Sequence, residues 1–466
     1  MEEPEELGGK DVEFVLPVDS DKKATEFRLF FLAPPHMRTF HLAWLSLFSC
    51  FFSTFAIPPL QPIIRDDLNL TDTDIGNAGI ASFTSSIFSR LAMGPICDLM
   101  GPRVATAMLS LLTALLIFAF SLASSPNDFI LLRFLIGFSL ANFVSNQFWM
   151  SSMFSGNVVG LVNGFAAGWA NVGSGATQIF MPLIYSLITS FGVASFTAWR
   201  IAFVVPAVFQ VVTALMVLAY GQDLPQGNYS SVKMKMRENM SSKEGLFEDL
   251  FHGLKNYRGW ILGLTYGFCF GVELTVDNVI AQYFYDRFGV NMQVAGTIAA
   301  CFVFANCFSR PFRGVLSNVM AKRFGMRGRL WSLWIVQSVA ALLCILLERT
   351  NSLMSSVVVM CAFSVFVQGT SGLTFEVVPF ISKRSLGVIS GMTGSGGTVG
   401  AVVTQLLLFS GSKFSKQTGI SLMDLMMFFC TLPISLIYFP QWGGMLCGPN
   451  YIHSSSFAEH NYHLLA

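Results

Sequence analysis

Two arginines stand at matching places in the two halves of this 466-residue chain. Arg90 and Arg310 each end a Phe-Ser-Arg triplet, followed by a glycine and then by an Asp or Asn. The shared pattern, F-S-R-x3-G-x3-[DN], recurs at a constant offset of 220 residues. Both arginines fall well inside apolar runs. A charge at membrane depth costs at least ~2.5–3.5 kcal/mol on insertion scales, so each is a candidate functional residue.

The chemistry that such a pair suits is anion binding. A guanidinium stays charged and donates hydrogen bonds in a planar fork that matches oxyanions. The alternative is that each arginine pairs with a carboxylate and serves assembly. Carboxylates are scarce in these runs, and such pairs would have to arise twice symmetrically, so we favour the anion site.

Glu273 and Asp277 are four residues apart in a later apolar run, and therefore share one helix face. All six histidines lie in tails, span edges or the central polar segment, so a proton carrier inside the membrane would have to be a carboxylate. Proton coupling by Glu273 or Asp277 and a structural role near a helix end both remain open.

A second repeat consists of glycines. The spacing from Gly164 to Thr177-Gln178 equals that from Gly391 to Thr404-Gln405. Small residues at intervals of four allow close helix packing in membranes. A further possibility is that bare backbone and Asn171 line a narrow substrate slot. The signature glycines of these two runs are Gly164, Gly168, Gly173, Gly391, Gly396 and Gly400.

The composition requires lipid as the solvent for most of the chain. Hydrophobic residues make up 53% and charged residues 12% of it, against roughly 25% charged in soluble domains. The net charge of +1 excludes bulk electrostatic binding to nucleic acid. With about 20 apolar residues per span, we predict twelve transmembrane helices, near 40–64, 76–97, 104–124, 128–153, 158–189, 198–220, 259–284, 294–317, 330–348, 353–380, 385–410 and 422–440.

The predicted fold is all-α and polytopic, with two six-helix halves. Lys and Arg residues are more numerous in the loops on the side of the N-terminus, which places both termini in the cytoplasm. The predicted divisions are a tail over 1–39, an N-terminal half over 40–220, a flexible linker over 221–258, a C-terminal half over 259–440 and a tail over 441–466.

Several long strings resemble the plant high-affinity nitrate transporters, in the nitrate/nitrite porter family of the major facilitator superfamily. These include PHMRTFHLAW, DIGNAGIASF, NQFWMSSMFSG, GVELTVDN, RFGMRGRLW and SLGVISGMTGSGG. The likeness extends from about residue 14 to residue 449, and the segment FHLAWLSLFSCFFSTF is most similar to the vacuolar-membrane branch.

The resemblance implies roles for individual residues. Arg90 and Arg310 match the family's two nitrate-binding arginines, Phe52 and Phe143 the aromatics flanking the anion, and Asn171 a polar contact. Tyr266 falls near a substrate-facing aromatic. The string GPICDLMGPR is similar to the superfamily's gating motif, which here comprises Gly94, Asp98, Gly101 and Arg103.

Three positions depart from the family pattern. Arg313 and Glu376 stand where the family usually carries small residues, and Asn318 where it carries Asp. Arg313 follows Arg310 by three residues and could crowd the site. If the departures impair transport, Arg313→Gly and Glu376→Gly should each raise it.

The function that the resemblance implies is secondary active transport of nitrate by proton symport with alternating access. The alternatives are a nitrate/nitrite exchanger or another anion porter, and a non-transporting sensor or scaffold. No enzymatic motif, cofactor or metal site is expected. Expected partners are nitrate or nitrite, protons, membrane lipid and a single-span accessory subunit; the expected location is the plasma or vacuolar membrane.

Overall fold

The computed structural model describes residues 14–227, 246–290, 292–382, 385–409 and 416–448. The chain is almost entirely helical there. Its helices are α1 His36–Thr54, α2 Gln61–Leu68, α3 Asp72–Met100, α4 Pro102–Phe120, α5 Pro126–Ile136, α6 Asn142–Met153, α7 Val159–Ser190, α8 Ser195–Ala202, α9 Val204–Tyr220, α10 Leu246–Lys255, α11 Tyr257–Gly267, α12 Phe270–Phe288, α13 Met292–Phe304, α14 Asn306–Arg349, α15 Leu353–Val377, α16 Leu386–Thr404 and α17 Lys416–Thr431.

Short irregular elements join or extend these helices. They are 3₁₀ turns at Pro58–Leu60, Gly137–Ala141, Val378–Phe380 and Leu432–Leu436, a π-helical turn at Gln405–Phe409, and a two-stranded antiparallel hairpin of β1 Tyr438–Phe439 and β2 Gly443–Gly444. The bulk of the chain is thus a polytopic helical bundle.

Ten helical segments of the described ranges are long and apolar enough to cross a membrane. One of them, Val294–Arg349, is long enough for two crossings, and α14 within it bends at Gly325, which has φ 62° and ψ −148°. The 29-residue α3 is also long enough to cross a membrane, and its polar residues lower its hydropathy. The helices therefore account for the twelve predicted spans.

The two halves meet through two reciprocal helix pairs, α3 with α16 and α7 with α14. A Cβ added to Gly94 of α3 would overlap the carbonyl oxygen of Gly387 of α16, and one on Gly314 would lie 3.0 Å from the carbonyl oxygen of Gly160. Gly94 and Gly314 are equivalent in the internal repeat. We call these four glycines the inner seam, since they lie toward the side of the bundle at which α1 begins, the side predicted to be cytoplasmic.

Both polar segments that flank the N-terminal half contain ordered structure. Residues 14–35 of the predicted tail pack on the bundle, where Ala24 is fully buried and pairs with Phe154 in a β-bridge. The first helix starts at His36, four residues earlier than predicted. Within the predicted linker, Leu246–Lys255 forms the amphipathic helix α10. The middle of that linker, 228–245, and most of the C-terminal tail lie outside the described residues.

Candidate functional site

The two arginines are positioned by the same reciprocal packing that joins the halves. A Cβ on Gly164 of α7 would lie 2.9 Å from the carbonyl oxygen of Arg310, and one on Gly391 of α16 would lie 3.1 Å from that of Arg90. The glycine of each half therefore allows a close approach to the arginine backbone of the other half. This explains why the glycine repeat and the arginine repeat occur together.

Arg90 is fully buried and forms no ion pair with any described carboxylate. Its Nε donates to the carbonyl of Leu140 (3.2 Å), and its Nη1 donates to the carbonyl of Gly394 (2.8 Å) on α16. Its Nη2 has no hydrogen-bond partner among the described residues. Arg90 therefore retains a full positive charge and unused donors in a water-excluded place.

Arg310 is buried to the same degree, at 1% exposure, but is neutralised. Its Nη2 lies 2.9 Å and 3.2 Å from the two carboxylate oxygens of Glu273. Asn306 connects the pair, accepting from Arg310 Nε (2.7 Å) and donating to Glu273 (2.8 Å), and Ser371 also donates to Glu273. The alternative of pairing with a carboxylate therefore holds for Arg310 and not for Arg90.

One aromatic ring lies beside both guanidiniums. The centroid of Phe270 is 5.0 Å from Cζ of Arg90 and 5.7 Å from Cζ of Arg310. Phe143 and Tyr266 stack on Phe270 with centroid separations of 5.9 Å and 5.0 Å, and Phe375 meets Tyr266 edge-on. The Tyr266 hydroxyl is buried without a partner among the described residues.

This arrangement has the chemistry of an anion site. It holds one uncompensated guanidinium and a second that is balanced by a carboxylate. Two groups with unused donors, Arg90 and Tyr266, lie in the same aromatic cluster. Flat ring faces beside these donors suit a flat anion better than a tetrahedral one. Burial strengthens the electrostatic attraction, because water is excluded.

The other two residues expected at the substrate lie elsewhere. Phe52 packs against Phe48 and Phe209 of α9, outside the aromatic cluster around Arg90. Asn171 donates its side-chain amide to the carbonyl of Ala167 one turn earlier in its own helix. In this conformation, the structure brings together Arg90, Arg310, Phe143 and Tyr266, but not Phe52 and Asn171.

The sequence profile of the Major Facilitator Superfamily matches residues 43–446. "High affinity nitrate transporter 2.7" of Arabidopsis thaliana is 61% identical over 96% of this chain and 93% of its own length. "High affinity nitrate transporter 2.5" of the same plant is 57% identical over 97% and 89%. The chain belongs to the high-affinity nitrate transporter family of the Major Facilitator Superfamily. The relatives are named as transporters, so the prediction that this is no enzyme is confirmed.

Solved structures agree at the level of the fold. The human organic anion transporter MFSD10 superposes with a TM-score of 0.59 at 12% identity, covering 86% of this chain and all of that one. An inward-facing bacterial homolog of the lysosomal transporter Spinster gives a TM-score of 0.57 at 13% identity, covering 86% and 95%. The superfamily fold of this transporter-family member is thereby confirmed.

Asp277, the second of the two carboxylates predicted to carry protons, lies one helical turn beyond Glu273 on α12. It lines a cavity with Phe55, Pro58, Ser174, Gln178, Ala299 and Val303. Its Oδ1 is buried and has no hydrogen-bond partner in the described parts of the chain. Asp277 therefore faces the space between the halves, on the side of the arginines away from the inner seam.

The predicted gating residues hold the inner ends of the helices. Gly101 links α3 to α4 with φ 86°. The backbone amide of Arg103 donates to the carboxylate of Asp223 (2.9 Å), and its side chain donates to the carbonyl of Leu218 (3.1 Å). A Cβ on Gly387 would lie 2.6 Å from Oδ2 of Asp98. Asp98 thus reaches the start of α16 in the opposite half.

Three of the remaining signature glycines join helices inside one half, and the fourth, Gly168, packs across the two halves. A Cβ on Gly173 would lie 2.5 Å from the carbonyl oxygen of Phe48 on α1, and one on Gly400 would overlap that of Gly267 on α11. Gly396 likewise contacts Gly263, while Gly168 faces the carbonyl of Asn306 across the two halves. Close backbone packing is therefore the structural role of these glycines.

Three residues of this site were not predicted from the sequence: Phe270, Phe375 and Asn306. Phe270 follows Tyr266 by four residues, and Asn306 precedes Arg310 by four, so helical spacing held a signal for both. No comparable signal marks Phe375. Arg313 does not crowd the site and instead turns toward α15, where its Cζ lies 4.7 Å from the Phe366 centroid.

Proposed function

We propose that this protein is a secondary active transporter of nitrate. The observation that carries the proposal is the buried, uncompensated guanidinium of Arg90, with unused donors beside the rings of Phe143 and Phe270. The closely similar relatives named as nitrate transporters support it. Nitrate is flat, singly charged and weakly hydrated, so it matches one free positive charge between aromatic faces.

We propose further that transport is coupled to protons through Glu273. Moving an anion into a negative compartment costs ~2.3 kcal/mol per 100 mV, so uptake needs a driving ion. Glu273 neutralises Arg310 at 2.9 Å. A proton on Glu273 would remove that negative charge and leave two guanidiniums for the anion. Binding of the proton and binding of nitrate would then each favour the other, as linkage requires.

Asp277 is the proposed intermediate on the proton's path to Glu273. It is one turn away on α12 and lines the cavity between the halves, and its Oδ1 has no hydrogen-bond partner among the described residues. A proton arriving from that cavity would meet Asp277 before the buried Glu273. On this proposal, Asp277 would pass the proton inward through a change of rotamer or through a bridging water.

Alternating access is the proposed mechanism of movement. Arg90 and Arg310 lie on opposite halves, and each packs on a glycine of the other half. Opening the inner seam would separate these contacts and with them the two arginines. The anion would then lose one of its two cationic partners and leave toward the inner side.

The experiment is uptake of labelled nitrate by a host that lacks its own nitrate transport, with and without an outside-acidic gradient. Nitrate accumulation should rise with the gradient and collapse when a protonophore is added. Uptake that needs internal nitrite or nitrate, and ignores the gradient, would instead show an exchanger. Binding without uptake would show a sensor.

A further inference from the structure

The internal repeat exposes an irregularity beside the inner seam. Four residues after the repeated glycine, the N-terminal half carries Asp98 and the C-terminal half carries Asn318. The carboxylate that the repeat would place on α14 is therefore absent. Arg329, whose positive charge such a carboxylate would balance, is nevertheless present after the kink in the same helix.

Arg329 is buried at 5% exposure and takes its carboxylate from another helix. Its Nη1 lies 3.3 Å from Oε2 of Glu376 on α15 and donates to Ser317 (2.9 Å), while its Nη2 donates to Asn318 Oδ1 (3.1 Å). Glu376 is itself 4% exposed. The pair thus joins three membrane-spanning segments, with the negative charge coming from α15.

Glu376 also touches the opposite half of the protein. A Cβ on Gly160, one of the four inner-seam glycines, would lie 3.2 Å from both Cγ and Cδ of Glu376. Nearby, Asn318 donates to the backbone carbonyl of Asn157 (3.4 Å), across the same boundary. The carboxylate therefore lies where the two halves close on the inner side.

We propose that Glu376 is a positioning residue of the inner gate, supplying from α15 the carboxylate that the repeat would place at position 318. It compensates Arg329 and packs over Gly160 while the inner seam is closed. This inference rests on the proposed transport function, because a gate matters only to a transporter. The charge missing at Asn318 and the carboxylate of Glu376 are then one relocated negative charge.

Loss of Glu376 should destabilise the conformation in which the inner seam is closed. Removing one partner of a buried pair leaves an uncompensated charge in low dielectric. Opening the inner seam would let water reach Arg329 and relieve that cost. The seam-closed state, which takes up nitrate from outside, would become less populated, and the apparent affinity falls with that population.

The test is a four-protein set: the parent, Glu376→Gly, Asn318→Asp and the double variant Glu376→Gly/Asn318→Asp. We expect Glu376→Gly to raise the KM for external nitrate roughly tenfold or more. The double variant should return to within roughly threefold of the parent, because an aspartate at position 318 can balance Arg329. Asn318→Asp alone is the control for losing the amide that donates to the Asn157 carbonyl, and the double variant is compared with it as well as with the parent.

Hydrogen–deuterium exchange on the purified proteins separates gate positioning from local packing. Glu376→Gly should speed exchange at the inner end of α3, in the other half, as well as around α15. The double variant should restore protection at α3. Faster exchange confined to α14 and α15 would mean a local structural pair and would overturn the proposal.

Other outcomes are equally decisive. Parent-like KM and exchange in Glu376→Gly would overturn the inference, as would a double variant no better than the single one at equal abundance. If Glu376→Gly does not reach the membrane, Glu376→Gln replaces it as the single variant, with the same expectation and rescue by Asn318→Asp. Absence of nitrate uptake by the parent would defeat the proposed function, while the exchange data would still decide the gate.

Discussion

At the residue scale, the two repeated arginines are not equivalent. Glu273 balances Arg310, whereas Arg90 has only carbonyl partners and an unused nitrogen. Like charges close together in low dielectric repel strongly. Pairing one of them with a carboxylate keeps the empty site stable, and a proton on Glu273 would then release the second guanidinium for the anion.

Replacing Arg310 by lysine should reduce nitrate uptake severely while the protein still reaches its membrane. Lysine keeps the charge but cannot bond Asn306 and both Glu273 oxygens from one planar group. Loss of a desolvated charge contact costs about 2–5 kcal/mol, or roughly thirtyfold or more in affinity. The measurement is uptake normalised to membrane abundance. Parent-like uptake would leave the repeat-based site without support.

Neutralising Glu273 should uncouple transport from the proton gradient. In Glu273→Gln, Arg310 is permanently uncompensated, as it would be beside a protonated Glu273. Nitrate binding should persist and lose its pH dependence, while gradient-driven accumulation disappears. Binding and accumulation are measured side by side, with Asp277→Asn as the companion variant. Unchanged accumulation in both would remove this pair as proton carriers and direct attention to Glu376.

At the scale of elements, backbone contacts between the halves fix the arginines. In Gly164→Ala and Gly391→Ala, the new methyl group would lie 2.9 Å and 3.1 Å from an arginine carbonyl oxygen. Overpacking of this kind costs about 1–3 kcal/mol. We expect each to slow uptake severalfold. Gly79→Ala and Gly296→Ala are the matched controls, since nothing lies within 4 Å of their added Cβ. Equal rates in all four would contradict the packing argument.

The helices and the relation between the two halves can largely be predicted from the sequence. Apolar length predicts the spans, and two constant offsets predict that the halves are related. The contacts between halves are not predictable, because Gly94 and Gly387 are far apart in the chain and no local pattern pairs them. Glu273 is visible as a carboxylate on one face of a helix, but its partner Arg310 belongs to another helix and requires the fold. The departures at Asn318 and Glu376 stand out singly, and only their shared contact with Arg329 connects them.

At the scale of the whole molecule, the described conformation is closed at the inner seam. Asn157 and Asn318 lie in hydrogen-bond contact across it. Joining Asn157→Cys to Asn318→Cys with a short, reducible bifunctional thiol cross-linker should lock this closure, so the cross-linker should stop uptake and reductant should restore it. Each single-cysteine variant is the control for the nine native cysteines. Full uptake by the cross-linked protein would exclude opening at this boundary.

The central claim is that nitrate binds at the free guanidinium of Arg90. Its most direct test is equilibrium binding of labelled nitrate to the purified parent and to Arg90→Lys, with melting temperature recorded for both. The parent should bind nitrate saturably, and a folded Arg90→Lys protein should bind it with an affinity lower by roughly thirtyfold or more. Equal affinity in the two proteins, or no nitrate binding by a folded parent, would contradict it.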